Sequence, residues 1–323
     1  MDFTAISQKI YQQISEAQNI LLIAHPRPDA DALGSLVAFG LWLESLGKTH
    51  DKFCVDQPDS NLAWLTDYEP IITDPKYILA QQYDLIVVLD SGDLRYAGVD
   101  QVLPQFLPLP LIINIDHHNT NRNFGTINLV DSNAVSTTQI IFQFFKTLRV
   151  RISAKQATAL LAGIIYDTYN FTNPNTNDRS LEITSDLLRA GALLPQVSDS
   201  ILRNKTVDAL QVWGKILTRL SYNAKLGVAF VAITKDDLEY VEFGAEITKG
   251  VANFLNNLAG VKAVLILEQQ SDDIIKGSLR TNEELIDVSE LAKMLGGGGH
   301  KKAAGFKLNG RLISTEKGFW QIV

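Results

Sequence analysis

Aspartate and histidine side chains occur together in four short segments of the chain. The segments are His25-Pro26-Arg27-Pro28-Asp29-Ala30-Asp31, Asp90-Ser91-Gly92-Asp93, Asp116-His117-His118 and Tyr166-Asp167-Thr168. An isolated aspartate after a strand is usually a loop cap or part of a solvated turn. Three of the five histidines, however, lie beside these carboxylates. The clustering favours a site with a chemical role over a set of unrelated turns.

The ligand types indicate which metal ions such a site would bind. Carboxylates with a minority of imidazoles are typical of Mn2+ or Mg2+ sites, whereas tetrahedral zinc sites use more histidine or cysteine. Cys54 is the only cysteine, which excludes a disulfide within the chain and a thiolate cluster. We expect Mn2+, with Mg2+ or Co2+ as alternatives. Two such ions about 3.5 to 4 Å apart activate water and neutralise charge on a phosphoryl group, which predicts hydrolysis of a phosphate ester.

The adjacent histidines His117 and His118 predict two different roles. Successive side chains of an extended segment point to opposite sides, so the two cannot both be ordinary core residues. In this interpretation one imidazole binds metal and the other contacts substrate.

Short apolar runs precede three of the acidic segments and predict the strands that position them. Residues 20–24 end at His25, residues 85–89 at Asp90 and residues 111–115 at Asp116. Helical spacing of apolar residues is found at 6–14, 31–46, 136–148, 154–166 and 176–190. This alternation predicts an α/β domain with a mostly parallel sheet flanked by helices. Ligands bind such sheets at the carboxyl ends of the strands, where these side chains would meet.

A smaller carboxyl-terminal α/β domain is predicted from strands at 228–233, 261–267 and 274–279 and a helix at 246–258. We place the first domain at 1–200, a connecting helix or linker at 201–219 and the second domain at 220–323.

Four consecutive glycines in the second domain precede a histidine and two lysines. A glycine run alone is typical of a flexible linker. A helical stretch precedes this run, however, and glycine amides can converge on one anion while Arg280 and His300 add donors. We interpret these residues as a phosphate or nucleotide site facing the metal site, formed by Arg280, Gly297, Gly298, Gly299 and His300.

Composition and charge restrict the substrate and the location. The chain is 46% hydrophobic and 20% charged, as in globular proteins, and it has no apolar run long enough for a membrane span. The amino terminus does not resemble a secretory signal, so we expect a soluble cytoplasmic protein. A net charge of −7 argues against an extended basic track for long nucleic acid. A small anionic substrate remains compatible, because a loaded metal site supplies local positive charge.

As an ordered set, six segments of this chain resemble the DHH/DHHA1 phosphoesterase family, and within it the stand-alone nanoRNase and pAp-phosphatase type. The segments are HPRPDADALGS, VVLDSGD, NIDHHN, IIYDT, SLR and GGGGHKKAAGF, which span residues 25 to 306. Any one of them alone would be a weak signal, whereas the ordered set is specific.

The resemblance implies a two-metal manganese site and a role for each residue. His25 and Asp29 would bind one ion, Asp31, His117 and Asp167 would bind the other, and Asp90 would bridge them. His118 would lie near the scissile phosphate, and Asp116 would orient its neighbours. The catalytic residues are thus His118, Asp90 and Asp116. Arg280 and His300 match positions that in relatives hold the substrate's phosphate, and the glycines would shape that pocket. The active site would then lie in the cleft between the two domains.

Two positions depart from the family pattern. Tyr169 follows Asp167-Thr168 where relatives often have glycine, and Gln139 stands where they often carry glutamate. Both departures bear on the choice of substrate more than on activity.

The resulting hypothesis is hydrolysis of very short oligonucleotides to mononucleotides. The substrates would include dinucleotides such as pApA or pGpG, which are breakdown products of cyclic dinucleotides, and removal of the 3'-phosphate of pAp is a related activity. The alternatives are a pyrophosphatase or exopolyphosphatase, and a nucleotide-binding sensor without catalysis. The expected assembly is a homodimer.

Overall fold

The computed structural model describes residues 2–66, 70–203, 206–238, 244–315 and 320–323. The chain divides into two compact units, Met1–Asn204 and Lys205–Val323. No helix in these described ranges is both long enough and apolar enough to cross a membrane.

The first unit is a parallel sheet flanked by helices. Its strands are β1 (Asn19–Ile23), β2 (Thr49–Phe53), β3 (Leu85–Leu89), β4 (Leu111–Asp116) and β5 (Ile127–Val130). Its helices are α1 (Phe3–Glu16), α2 (Ala30–Ser45), α3 (Ala63–Thr66), α4 (Pro75–Leu79), α5 (Thr137–Thr147), α6 (Ala154–Asp167), α7 (Asp178–Arg189) and α8 (Leu194–Ile201), with short 3-10 turns at Ser60–Leu62 and Leu103–Gln105.

The strand order in this unit is β2-β1-β3-β4-β5, and every neighbouring pair is parallel. Ile23 of β1 pairs with Val88 of β3, and Leu89 of β3 pairs with Ile115 of β4. The carboxyl ends of these three strands therefore lie side by side. The chain winds from β1 to β2 on one side and continues with β3 on the other, so a topological switch point lies between β1 and β3.

Alternating side chains of the central strands bury both faces of the sheet. On β1, Ile20 and Leu22 pack into the core that contains α1, α2, α5 and α6, whereas Leu21 and Ile23 pack into the core on the opposite face. Both faces of a parallel sheet are normally covered in this way, which explains the continuous apolar runs. The predicted strands at 20–24, 85–89 and 111–115 are confirmed as β1, β3 and β4.

The second unit is built on a mixed sheet of order β10-β11-β9-β8-β7-β6. Its strands are β6 (Ser221–Asn223), β7 (Val228–Ile233), β8 (Ala263–Ser271), β9 (Ile274–Arg280), β10 (Gly298–His300) and β11 (Ala303–Asn309), followed by the pair β12 (Leu312–Ser314) and β13 (Trp320–Ile322). Its helices are α9 (Val207–Leu217), α10 (Lys235–Leu238), α11 (Gly244–Leu255) and α12 (Val288–Met294).

Two apolar clusters stabilise this second unit. Trp213 and Ile216 of α9 pack with Val231 of β7 in one cluster, and Ala292 of α12 packs with Phe306 of β11 in the other. The unit thus has its own core, with α9 belonging to that core. The α/β architecture of both parts of the chain agrees with the fold class expected from the sequence.

Candidate metal centre and phosphate site

The loop between β1 and α2 positions the first two proposed ligands. Nδ1 of His25 lies 2.9 Å from the carbonyl oxygen of Pro26, and because a carbonyl only accepts, Nδ1 carries the proton. Nε2 of His25 then lies 3.5 Å from Oδ2 of Asp90 and 3.9 Å from Oδ1 of Asp29. Asp29 caps α2, since its Oδ1 accepts from the amides of Asp31 and Ala32. Hydrogen bonds to the backbone thus orient both the His25 ring and the Asp29 carboxylate.

Asp90 is the centre of the cluster. It is buried directly after β3, and its φ of 55° is left-handed, a conformation that aspartate and asparagine adopt more readily than most residues. Its carboxylate lies 3.5 Å from Nε2 of His25, 3.6 Å from Nε2 of His117 and 3.8 Å from Nδ1 of His118. The hydroxyl of Thr137 donates to its Oδ1 at 2.9 Å. Burial by itself raises the pKa of Asp90, but the surrounding imidazoles outweigh burial and lower it.

His117 also belongs to a second group of donors. Its Nε2 is 3.4 Å from Oδ2 of Asp167, the last residue of α6. Asp31 completes the group from the first turn of α2. Burial lowers the pKa of His117, which favours the neutral imidazole that a metal requires.

Asp31 also holds the amino terminus of α5. Its Oδ2 accepts from the amide of Thr137 at 2.6 Å, and its Oδ1 accepts from the amide and the hydroxyl of Thr138 at 2.9 and 2.7 Å. Burial and the neighbouring charge of Asp90 raise the pKa of Asp31. Two buried carboxylates therefore repel each other at this point, and a cation between them would relieve that repulsion.

His118 forms a separate hydrogen-bonded pair with Asp116. The Nδ1 of His118 is 2.7 Å from Oδ1 of the buried Asp116, whose Oδ2 accepts from Nδ2 of Asn121 at 2.6 Å. Burial acts to lower the pKa of His118, but Asp116 and Asp90 outweigh it and raise the pKa to about 9. Burial likewise opposes the charged form of His25, whereas Asp90 and Asp29 raise its pKa to about 9. The pKa values of His25 and His118 are thus raised because negative charge exceeds positive charge around both rings.

The donor sets suit metal ions. One atom from each residue lies within 4.8 Å of the others in the groups His25/Asp29/Asp90, Asp31/His117/Asp167 and Asp90/His117/His118. Ligands bound at about 2.0 to 2.2 Å are separated by about 3 to 3.6 Å, depending on the coordination angle. The distances from Nε2 of His117 to Asp167 and Asp90 are 3.4 and 3.6 Å, and that from Nε2 of His25 to Asp90 is 3.5 Å. These separations fall within the range expected for two ligands of one metal ion. The structure thus brings together all six residues proposed as ligands.

Several residues of this site were missed by the sequence reasoning. The sequence pattern indicates only the beginning of a helix at Thr137 and Thr138, yet their hydroxyls donate to Asp90 and Asp31. Gly163 of α6 lies against the Asp31 carboxylate so closely that a Cβ would overlap it. The ring centroid of Tyr96 is 5.2 Å from that of His25 and 5.9 Å from that of His118. A small residue in the middle of a predicted helix was the available signal for Gly163.

The two departures from the family pattern lie close to the site. Tyr169, Asn170 and Phe171 form a left-handed turn directly after α6, with φ values of 48°, 56° and 64°. Burial raises the pKa of Tyr169. Gln139 is buried in the first turn of α5, where its Oε1 accepts from the amide of Val135 at 3.2 Å. Gln139 therefore stabilises the loop that leads into α5.

In the second unit, Arg280 and His300 are at the same level of the sheet, on the two strands that flank β11. Arg280 of β9 and His300 of β10 both pair with Ala303 of β11. Nη1 of Arg280 donates to the carbonyl of Leu279 at 2.9 Å, and burial lowers the pKa of the guanidinium. No carboxylate among the described residues pairs with Arg280. A partly buried cation of this kind can accept an anionic ligand.

The glycine run has a defined structure. Gly296, with φ of 76°, ends α12, and Gly299, with φ of 141°, lies in β10. A Cβ on Gly297 would overlap the backbone of Gly305 and Phe306, whereas a Cβ on Gly298 would meet nothing within 4 Å. The packing of this unit therefore requires the absence of a side chain at Gly297 but does not require it at Gly298.

Fold and site together describe an α/β protein whose clustered carboxylates and imidazoles could hold metal ions, and family models identify its two domains. Residues 19–164 match the model of the DHH family, N-terminal domain, and residues 222–317 match the model of the DHHA1 domain. The chain thus carries a DHH domain followed by a DHHA1 domain.

Individual relatives agree with this assignment. The chain is 28% identical over 292 residues to a Thermus thermophilus protein named bifunctional oligoribonuclease and PAP phosphatase NrnA, covering 90% of this chain and 84% of the relative. It is 26% identical over 300 residues to the Bacillus subtilis protein of the same name, covering 92% and 91%. Each relative matches this chain across both units.

Solved structures show the same fold at lower identity. An exopolyphosphatase-related protein from Bacteroides fragilis superposes with a TM-score of 0.86 at 23% identity, covering 97% of this chain and 93% of that structure. RecJ from Thermus thermophilus, solved in complex with Mn2+, gives a TM-score of 0.56 at 15% identity, covering 95% of this chain and 52% of RecJ.

Proposed function

We propose that this DHH-family hydrolase cleaves very short oligonucleotides to mononucleotides, with a pair of divalent metal ions in the Asp90 cluster. Dinucleotides such as pApA and pGpG are the proposed substrates, and removal of the 3'-phosphate of pAp is a related activity. The observation that carries the proposal is the convergence of His25, His117 and His118 on one buried carboxylate, Asp90.

The proposed ligands divide into two groups around Asp90. His25 and Asp29 would hold one ion, Asp31, His117 and Asp167 would hold the other, and Asp90 would contact both. When bound, the ions would lower the pKa of a water molecule and would supply positive charge to the phosphoryl oxygens. Mn2+ is the proposed ion, because the donors are mainly carboxylates with a minority of imidazoles.

His118 is proposed to act on the substrate. Asp116 accepts from Nδ1 and so orients the ring, and the protonated ring would donate a hydrogen bond from Nε2 to an oxygen of the scissile phosphate. Asp116 fixes the orientation of the ring, and Asn121 fixes Asp116. This arrangement resembles other enzymes in which a buried carboxylate orients a catalytic imidazole.

The second unit is proposed to bind a further phosphate group of the substrate. The partly buried guanidinium of Arg280 lacks a carboxylate partner within the described residues. A Cβ on Gly298 would meet no atom within 4 Å, so open space lies beside this glycine. Arg280, Gly297, Gly298, Gly299 and His300 would form this site. The names of the two bacterial relatives, which join oligoribonuclease and PAP phosphatase activities, support a substrate with nucleotide character.

The direct test is a substrate panel with purified protein and Mn2+, Mg2+ or Co2+ in turn. The panel contains pApA, pGpG, a longer RNA, pAp and pyrophosphate. We expect hydrolysis of the dinucleotides and of pAp, with little activity on the longer RNA. Phosphate release from pyrophosphate alone would favour the pyrophosphatase alternative, and tight binding without turnover would favour a sensor.

A matched pair of variants tests the metal assignment. Asp90→Asn should abolish turnover and lower the number of bound metal ions measured by elemental analysis. Asp93→Asn changes an aspartate three residues further on, whose Oδ1 caps the amide of Tyr96, and it should keep the full metal content. Retention of both metal ions by Asp90→Asn would contradict the assignment.

A further inference from the structure

Tyr96 is a partly exposed aromatic residue beside the proposed metal centre, and the proposed mechanism assigns no role to its ring. Its ring lies close to two imidazoles of the site, with centroid separations of 5.2 Å from His25 and 5.9 Å from His118. The residue is nevertheless 52% exposed, so a large part of its apolar surface faces solvent.

The backbone around Tyr96 is well ordered by its contacts. Its amide donates to Oδ1 of Asp93 at 2.7 Å, and the amide of Ala97 donates to the carbonyl of Asp93 at 3.0 Å. Ala97 and Val99 are fully buried in the core on that face of the sheet. The turn therefore presents the ring on a rigid support, which reduces the entropy lost when a ligand stacks on it.

Gly98 ties this turn to the loop that carries His25. A Cβ on Gly98 would lie 2.9 Å from Cγ of Pro26 and 2.8 Å from a methyl group of Val55. The left-handed φ of 73° at Gly98 also disfavours any other residue. The position of Tyr96 relative to the metal centre is thus fixed by close packing.

We infer that Tyr96 is the stacking surface for a nucleobase of the substrate, the base attached next to the scissile phosphate. The inference rests on the proposed function, because it assigns a subsite within that same active site. The face of the ring cannot stack on pyrophosphate or polyphosphate, which have no π face. A nucleobase gains stacking energy there, and the gain does not depend on the identity of the base.

The experiment compares variants of Tyr96 on substrates with and without bases. Tyr96→Leu keeps an apolar side chain but removes the ring, and Tyr96→Phe keeps the ring but removes the hydroxyl. Tyr77→Leu is the matched control, because Tyr77 is a tyrosine of α4 that is exposed to a similar degree. The substrates are pApA and a dinucleotide analogue with hydrogen in place of both bases.

The quantity to measure is the ratio of kcat/KM for pApA to kcat/KM for the base-free analogue. Tyr96→Leu should lower this ratio about tenfold or more, mainly through a higher KM for pApA. Tyr96→Phe and Tyr77→Leu should keep the ratio of the unmodified protein. An unchanged ratio in Tyr96→Leu would overturn the inference, and so would an equal loss in Tyr96→Phe, which would assign the effect to the hydroxyl.

A binding measurement separates this inference from the proposed function. Calorimetry gives the Kd of AMP and of ribose 5-phosphate for the metal-loaded protein, and the preference for AMP should disappear in Tyr96→Leu. If the unmodified protein shows this preference but hydrolyses no dinucleotide, the proposed function fails and the subsite stands. If it hydrolyses pApA and Tyr96→Leu behaves like the unmodified protein in both assays, the subsite alone fails.

Discussion

Asp116 and His118 form a hydrogen-bonded pair at the carboxyl end of β4, with Nδ1 of His118 2.7 Å from Oδ1 of Asp116. The other oxygen of Asp116 accepts from Asn121, whose side chain also hydrogen-bonds to that of Asn114. The imidazole is therefore anchored to a buried polar network that extends into the sheet.

The first prediction concerns this pair. Asp116→Asn should reduce kcat about 10- to 100-fold, because the neutral amide no longer holds the His118 ring in one tautomer and orientation. The KM and the metal content should change little. Steady-state kinetics with elemental analysis and circular dichroism check this, and loss of bound metal instead of kcat would assign Asp116 to the metal centre itself.

A glycine of α6 gives the second prediction. A Cβ on Gly163 would overlap both the carboxylate of Asp31 and the hydroxyl of Thr138. Gly163→Ala should therefore destabilise the protein by about 1 to 3 kcal/mol and weaken metal binding, although alanine is the better helix former. Thermal unfolding and metal titration measure the two effects.

Gly214 of α9 is the matched control for Gly163, since a Cβ there meets nothing within 4 Å. Gly214→Ala should stabilise the second unit by about 0.5 to 1 kcal/mol through the ordinary helix preference of alanine. A stable Gly163→Ala variant with normal metal affinity would show that the carboxylate of Asp31 can move without consequence.

The third prediction separates two neighbouring glycines of the second unit. Gly297→Ala should destabilise that unit, because its Cβ would overlap the backbone of β11. Gly298→Ala should leave the stability nearly unchanged but raise the KM for pApA, since its Cβ would occupy space proposed for the substrate. Unfolding curves and kinetics of both variants are the measurement, and a normal KM in Gly298→Ala would count against a phosphate site at this position.

The fourth prediction concerns the pH dependence of the second unit. The buried carboxylate of Asp237 accepts hydrogen bonds from the guanidinium of Arg219 and from the amide and hydroxyl of Thr234. Burial acts to raise the pKa of Asp237, but these hydrogen bonds outweigh burial and lower it. The ion pair of Asp237 with Arg219 therefore stabilises the folded state above about pH 4, where the carboxyl group is ionised in the unfolded chain as well. This stabilisation is lost as the pH falls through the lowered pKa of Asp237 in the folded state.

Asp237→Asn should accordingly cost about 3 kcal/mol near neutral pH, because it leaves the positive charge of Arg219 without its partner. The difference from the unmodified protein should shrink as the solution is acidified. Amide hydrogen exchange in β7 follows the unfolding of this unit. A difference that is constant with pH would show that the charge of Asp237 is not what stabilises the fold.

The sequence predicted the centre of the first sheet well and its edges poorly. β1, β3 and β4 are buried on both faces and read as continuous apolar runs, so their ends were found within one residue. β2, with the sequence Thr49-His50-Asp51-Lys52-Phe53, was missed because an edge strand has few buried positions and carries no such run. β5 was missed because its four residues are too few for a periodic pattern.

The second unit was predicted less completely for a similar reason. The strand at 228–233 was found, but β10 was not, because its residues belong to the glycine run, and glycine gives no strand signal. Likewise, the chemical types of His25, Asp90 and His118 pointed to the site. The supporting roles of Thr137 and Gly163 were not visible because they depend on contacts with residues distant in sequence: Thr137 donates to Asp90, 47 residues earlier, and Gly163 packs against Asp31 of α2.

The left-handed backbone conformation of Asp90 restricts which residues could replace it during evolution. Glutamate and most other replacements would be strained at a φ of 55°, whereas asparagine adopts this conformation readily. Aspartate and asparagine codons differ at a single base, so a single base change can remove the central charge while keeping this backbone conformation. A duplicated gene could thus give rise to a protein that binds nucleotides without consuming them.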